Sequence, residues 1–119
     1  MEFSCTAQQS GERVVVTVTG DVDLAAHTLF QERVERWLSP ATDLVVDCSQ
    51  VSFMDSMGLR VLVYLRQQVL RYGRTITLQD PSTPVLRVLE LAGVKGLFTQ
   101  TSAAAEYQRE RDPDPDLAV

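Results

Sequence analysis

The sequence predicts an α/β domain with a mostly parallel β-sheet and an antiparallel strand at its N-terminal edge. Short β-branched or apolar runs alternate along the chain with longer segments in which apolar residues recur at helical spacing. This alternation is typical of β-α-β units, whose crossovers make neighbouring strands parallel. Leu44-Val45-Val46 is continuously apolar, as in the buried strands of parallel sheets. Ser10-Gly11-Glu12 indicates a hairpin turn, which makes the first two strands antiparallel.

Five strands and about four helices are predicted, with a helix after every strand from the second onward. Runs that are short, apolar or β-branched and bounded by turn residues predict strands at 3–8, 14–19, 43–47, 75–78 and 97–99. Helical spacing of apolar residues predicts helices at 24–38, 57–72, 84–91 and 102–108. Ser39-Pro40, Gly73 and Gly93 mark helix ends, and Ser82 or Thr83 caps the third helix.

The length of the chain fits one domain. A sequence of 119 residues suits a single hydrophobic core, and we expect the domain to span residues 1–108. Residues 109–119 contain four of the sixteen acidic residues and two prolines, with few apolar side chains. We expect them to form a mobile acidic tail, since such a composition cannot bury enough apolar surface to become ordered.

Composition argues against several classes of function. The net charge is −5, and the Lys and Arg residues are spread singly, so direct binding to nucleic acid is not expected. Cys5, Cys48 and the single His27 have no metal-ligand spacing, and Cys48 is expected to be a small buried residue. The apolar runs are too short to span a membrane, and residues 1–5 lack the features of a signal peptide. We therefore expect a cytoplasmic protein.

The segment from Val51 to Leu59 is the most informative part of the sequence. It joins an apolar strand to an apolar helix and places Asp55 and Ser56 where that helix begins. A serine at this position can cap the helix, or it can carry a phosphate that the free backbone N–H groups accept. The residue pattern of this segment alone leaves both readings open.

Two motifs in this sequence resemble those of bacterial anti-sigma factor antagonists, the small STAS-domain proteins. The first is Asp55-Ser56-x-Gly58-Leu59, preceded by Ser52-Phe53-Met54, which resembles their phosphorylation loop. The second is Gly20-Asp21-Val22-Asp23, which resembles the Gly-x-x-Asp turn after their second strand. The order of predicted elements fits a STAS-like domain over roughly residues 10–105. Met57 departs from the pattern, because well-known members often have a second serine there.

The resemblance implies a binding module that is switched by phosphorylation. The unphosphorylated protein would bind an anti-sigma factor of the histidine-kinase-like ATPase class and so free a sigma factor. That partner would be a serine kinase that uses its own ATP and magnesium to phosphorylate Ser56, and a PP2C-type phosphatase would reverse the modification. No cofactor is expected on this chain.

The resemblance also assigns contacts with the partner. Asp55 would present Ser56, and Asp23 matches the turn aspartate of the family. Each aspartate also has a purely structural reading, since carboxylates favour turns and helix starts. Gly58 costs up to ~1 kcal/mol near a helix start unless another backbone approaches it closely. The full set of expected partner contacts is Asp21, Asp23, Ser52, Met54, Asp55, Met57, Gly58, Arg60, Val61 and Tyr64.

The spacing of residues along the second helix predicts a face that could contact the partner. Met57, Arg60, Val61 and Tyr64 fall on a different face from Leu59, Leu62, Val69 and Leu70, which fit the core. We expect the first set to be partly exposed, although ordinary packing is an alternative for residues of this kind.

Catalysis by this chain is not expected. Gly-x-Ser-x-Gly is absent, no Gly-rich phosphate loop is visible, and His27 lies far from Ser56 in sequence. The alternative to a phosphorylation switch is a non-switching STAS scaffold, or a subunit of a sensory or transport assembly. A nucleotide- or lipid-binding domain would need a pocket that the sequence does not predict.

Overall fold

The computed structural model describes residues 1–104, which form one five-stranded sheet with helices packed on one of its faces. The strands lie side by side in chain order. The first pair is antiparallel and the other neighbours are parallel, as predicted. The strands are β1 (Ser4–Ser10), β2 (Arg13–Val22), β3 (Asp43–Met54), β4 (Ile76–Gln79) and β5 (Thr99–Thr101).

Three of the four predicted α-helices lie wholly within residues 1–104. They are α1 (His27–Glu35), α2 (Ser56–Arg71) and α3 (Thr83–Leu91), and a 3-10 turn follows at Lys95–Leu97. The fourth predicted helix, at 102–108, falls largely outside the described residues, as does the whole acidic tail at 109–119. Both therefore remain predictions.

Buried and half-buried residues alternate along β2, and the buried ones show which face of the sheet packs against the core. Val14, Val16 and Val18 are buried, whereas the residues between them are half-buried on the opposite face. Side chains from all three helices join the same core as these valines, including Phe30, Leu62, Leu65 and Leu89. Cys48 belongs to this core too, as expected for a small buried residue. Since successive strand residues point to opposite faces, all three helices cover the face that the valines line.

The third strand is longer than predicted. The sequence predicts that this strand ends at residue 47, but β3 continues to Met54. It stays paired with β2 over this stretch, with Gly20 opposite Val51, Asp21 opposite Phe53 and Val22 opposite Met54. Irregularities in the register accompany the extension, and such bulges increase local twist. The two sequence motifs are therefore neighbours on paired strands instead of parts of separate loops.

Some helical positions were assigned to the wrong environment. The first helix covers only nine of the predicted fifteen residues, and Leu29 and Trp37, two of the apolar residues whose spacing predicts a helix at 24–38, are exposed. Leu70 was placed in the core but is 49% exposed. The last strand starts at Thr99 rather than at residue 97, because Lys95–Leu97 form a 3-10 turn.

Candidate functional site

Asp55, and not Ser56, caps helix α2. Its Oδ1 accepts hydrogen bonds from the backbone N–H groups of Met57 at 2.9 Å and Gly58 at 3.2 Å. Asp55 has extended backbone geometry, as N-cap residues do, and Ser56 is the first helical residue. The reading of Ser56 as the cap was wrong, because the carboxylate before it satisfies those N–H groups.

Ser56 is consequently an exposed hydroxyl on a fixed backbone. Its side chain makes no hydrogen bond to any of residues 1–104. The helix fixes the serine backbone on its C-terminal side, and the N-cap residue Asp55 fixes it on the other. A hydroxyl in this position is accessible to an enzyme without local unfolding.

Asp21 and Ser52 form a direct link between the ends of β2 and β3. The Ser52 hydroxyl donates to Asp21 Oδ1 at 2.8 Å, and the amino group of Met1 donates to Oδ2 at 3.1 Å. The hydrogen bond from Ser52 is the main reason that the pKa of Asp21 lies below its usual value, and the amino group adds to the effect. Asp21 is therefore a carboxylate at neutral pH.

Asp23 has a well-defined structural role in the turn before α1. Its Oδ1 accepts from the backbone N–H groups of Ala25 and Ala26, both at 3.1 Å, and its carbonyl accepts from His27 at 2.9 Å. These contacts correspond to the turn chemistry that aspartate favours. The carboxylate shapes this turn whether or not it also touches a partner.

Gly58 is needed because another backbone passes close to it, as the sequence suggested. A Cβ atom built there would lie 2.7 Å from the carbonyl oxygen of Val22, and 2.9 Å from side-chain atoms of Val22 and Met54. The same carbonyl accepts a hydrogen bond from Asp55 N at 3.3 Å. The start of α2 is thus seated directly on the end of β2.

A groove of about 300 Å³ lies between α1 and α2, beside Ser56. It is lined by His27, Gln31, Met57, Arg60, Val61 and Tyr64. All four residues of the face expected to contact the partner therefore line this groove. Hydrogen bonding with Glu35 of α1 raises the pKa of the Tyr64 hydroxyl.

Three of the expected contact residues are buried. Val61 was expected to be partly exposed but is 2% exposed, because it packs beneath the groove as part of the core. Met54 is also in the core, and Gly58 is covered by Val22. These residues shape the surface around Ser56 from below.

Two features of this surface were missed in the sequence. His27 lies in the groove with Met57 and Arg60, although nothing in the sequence placed it near this end of the sheet. A second groove, of about 350 Å³, has Phe53 and Leu91 among its lining residues, and these are 49% and 82% exposed. The position of Phe53 could have been recognised from the alternation of β3, had the strand been extended to Met54.

Residues 1–104 contain neither a candidate metal site nor a candidate membrane span. No group of three or more His, Cys, Asp or Glu side chains in this part of the chain could hold a metal ion. No helix within it is long and apolar enough to cross a membrane. The site combines the exposed Ser56 hydroxyl with the carboxylates of Asp21, Asp23 and Asp55 and with grooves that adjoin them.

A sequence model described as the Mlab STAS domain matches residues 5–99. The chain belongs to the STAS-domain family. This confirms the resemblance seen in the Asp55-Ser56 and Gly20-Asp23 motifs.

Individual STAS proteins support this assignment. The anti-sigma-B factor antagonist of Bacillus subtilis (strain 168) is 25% identical over 98 residues, which cover 82% of this chain and 90% of that protein. The crystal structure of an anti-sigma factor antagonist from Mycobacterium paratuberculosis has a TM-score of 0.78 at 19% identity, covering 93% and 96% of the two chains. The Bacillus cell fate determinant SpoIIAA in its phosphorylated form has a TM-score of 0.69 at 18% identity, covering 91% and 100%. At these identities, the two structures show a shared STAS fold.

Proposed function

We propose that this STAS protein is an anti-sigma factor antagonist whose binding is switched off by phosphorylation of Ser56. The Bacillus subtilis relative carries that name, and a structural neighbour exists in a phosphorylated form. The observation that carries the proposal is the exposed Ser56 hydroxyl, held at the first position of α2 by the Asp55 cap.

In this proposal, the unphosphorylated protein binds an anti-sigma factor of the histidine-kinase-like ATPase class and releases a sigma factor. The partner is also the serine kinase, and it supplies ATP and magnesium. A PP2C-type phosphatase resets the switch. The chain acts as a cytoplasmic binding module, without a cofactor or catalytic residues of its own.

The surface suited to the partner surrounds Ser56. Met57, Arg60 and Tyr64 line the groove on one side, and Asp21 and Ser52 lie on the neighbouring strand ends. This surface combines an apolar side chain with groups of both charges and several hydrogen-bonding atoms. Recognition therefore depends strongly on local electrostatics.

Phosphorylation changes these electrostatics directly. A phosphate adds roughly −1.5 to −2 charges at neutral pH, beside Asp55 and on a surface that already carries the ionised Asp21. It also adds bulk at the centre of the patch. A loss of ~4 kcal/mol in binding free energy would weaken the complex about a thousandfold, which is enough for a switch.

The phosphate should leave the fold unchanged. The backbone at Ser56 is fixed by the Asp55 cap and by the hydrogen bond from Asp55 N to the Val22 carbonyl, and neither involves the serine hydroxyl. Backbone NMR shifts of the two forms should differ only near the start of α2. Widespread differences would contradict a local switch.

The decisive experiment uses matched baits. Ser56→Ala and Ser56→Asp proteins are used to capture partners from source cells, with Ser10→Asp as a control for added charge. Ser10 is also exposed but lies in the hairpin at the opposite end of β2. A captured ATPase of the histidine-kinase-like class is then purified, and its dissociation constant and ATP-dependent phosphorylation of the wild-type protein are measured.

The switch predicts that the ATPase binds the Ala and Ser10→Asp proteins and loses affinity for Ser56→Asp. It also predicts that mass spectrometry finds phosphate on Ser56 only. Equal capture of the same proteins by all three baits would contradict the switch and favour a non-switching scaffold or assembly subunit.

A further inference from the structure

Arg60 is an exposed cation without a partner in residues 1–104. No hydrogen bond or ion pair involves its guanidinium group in this part of the chain. It lies on α2 four residues after Ser56, and side chains at this spacing are neighbours on one face of a helix. It is also the one Lys or Arg among the six residues that line the groove beside Ser56.

The sequence of α2 explains why Arg60 is free. The helix contains no Asp or Glu at any of its sixteen positions, so no intrahelical acid can pair with this arginine. The facing helix offers Glu35, whose carboxylate accepts from Gln31 at 3.1 Å and makes no ion pair with Arg60. His27 contributes a ring whose Nδ1 is engaged with the carbonyl of Leu24 at 2.6 Å.

We propose that Arg60 is the internal counter-ion of phosphorylated Ser56. This inference rests on the proposed function, because it concerns the phosphorylated state. The phosphate would supply the negative charge that the sequence of α2 lacks, one helical turn before Arg60. Arginine binds phosphate through paired N–H donors, which suits this short and fixed separation.

The pairing gives phosphorylation two effects instead of one. It adds negative charge at Ser56, and it also neutralises the cation that the unphosphorylated groove offers to a partner. Any partner acid that binds Arg60 would lose this contact on phosphorylation. An aspartate at position 56 is shorter and carries one charge, so Ser56→Asp would reproduce this second effect less well than phosphoserine does.

The test measures the second pKa of the phosphate, because a neighbouring cation favours the dianion and lowers that pKa. Phosphoserine is installed at position 56 during protein synthesis, so that no kinase is needed. Phosphorus NMR follows its titration in the otherwise wild-type protein and in Arg60→Gln, Arg60→Lys and Arg71→Gln variants. The amide spectrum of each variant checks its fold.

Arg71→Gln is the matched control. It removes the same charge from the same helix, but Arg71 lies about 22 Å from Ser56 along the axis at a rise of 1.5 Å per residue. Salt screens exposed charges at that distance. Asp21, Asp23, Asp55, Glu35 and His27 are present in all four proteins, so their contribution to the phosphate titration is common to all of them.

We expect Arg60→Gln to raise the phosphate pKa by about 0.4 pH units, the size of an exposed ion pair one helical turn apart. Arg60→Lys should raise it less, and Arg71→Gln should leave it unchanged. An Arg60→Gln value equal to wild type, or an equal shift in Arg71→Gln, would overturn the proposal. Failure of the partner to respond to Ser56 would leave this intramolecular shift intact, so the two proposals fail separately.

Discussion

Replacing Gly58 with Ala tests whether the start of α2 is seated on β2. Glycine is a poor helix former, so an alanine at an open helical position stabilises a protein by ~0.8–1 kcal/mol. Gly58 has no left-handed backbone that would require glycine. Its new methyl group would instead lie 2.7 Å from the carbonyl oxygen of Val22 and 2.9 Å from Met54 Cγ.

The two effects oppose each other, and the structure indicates which is larger. Met54 has a flexible side chain that can move, but the Val22 carbonyl belongs to the paired backbone of β2 and accepts from Asp55 N. Overpacking of this kind costs ~1–3 kcal/mol. After the gain in helix propensity, we expect Gly58→Ala to be destabilising by about 1–2 kcal/mol.

Urea denaturation followed by circular dichroism measures this free energy, with Gly96→Ala as the control. Gly96 lies in the 3-10 turn, where a Cβ atom would meet no described atom within 4 Å and the backbone is not left-handed. The control should therefore be close to neutral. A Gly58→Ala protein as stable as wild type, or more stable, would refute the close contact between α2 and β2.

Two further predictions concern Asp55 and Asp43. Asp55→Ala should lower the free energy of unfolding, measured by thermal denaturation, by ~1 kcal/mol. Asp55→Asn should lower it by less, because asparagine also caps helices. Equal losses in the two variants would contradict the capping role of Asp55. Partial burial raises the pKa of Asp43, but the Thr75 N–H at 2.9 Å and the Arg74 Nε at 3.1 Å outweigh it, so the net pKa is lowered. The stabilisation that ionised Asp43 provides is present above the pKa of this group in the unfolded chain. It is lost as the pH falls through the pKa of Asp43 in the folded protein. Asp43→Asn should therefore lower the free energy of unfolding by ~1 kcal/mol at pH 7 and reduce the loss of stability below about pH 4. Urea titrations at several pH values measure both effects. A variant that loses stability in acid as wild type does would contradict this role of Asp43.

Much of the fold could be predicted because local pattern and tertiary structure agree. The alternating valines of β2 form one buried face, and the apolar run at 44–46 lies in the centre of the sheet. The hairpin at Ser10 gives the predicted antiparallel edge. Element boundaries were less accurate, because β3 is held to Met54 by pairing with β2, and a single strand does not reveal its partner.

The errors at the site have a similar origin. Asp55 and Ser56 are both good capping residues, and only the backbone geometry shows that the carboxylate has the N-cap position. Val61 was expected to be partly exposed but is buried, and Leu70 was expected in the core but is exposed. The buried stripe of α2 depends on where α1 and α3 pack against it. His27 entered the site through the packing of α1 beside α2, which periodicity within α1 alone does not define.

The two motifs of this sequence are parts of one structural unit, although more than thirty residues separate them. Parallel pairing brings Val22 opposite Met54, so the turn that follows β2 and the helix that follows β3 begin at the same level. The Val22 carbonyl then receives the Asp55 N–H and leaves room for no side chain at position 58. Ser52 ties the strand ends together a second time through Asp21. A change in either motif should therefore move Ser56, which explains in physical terms why both motifs are needed to define this site.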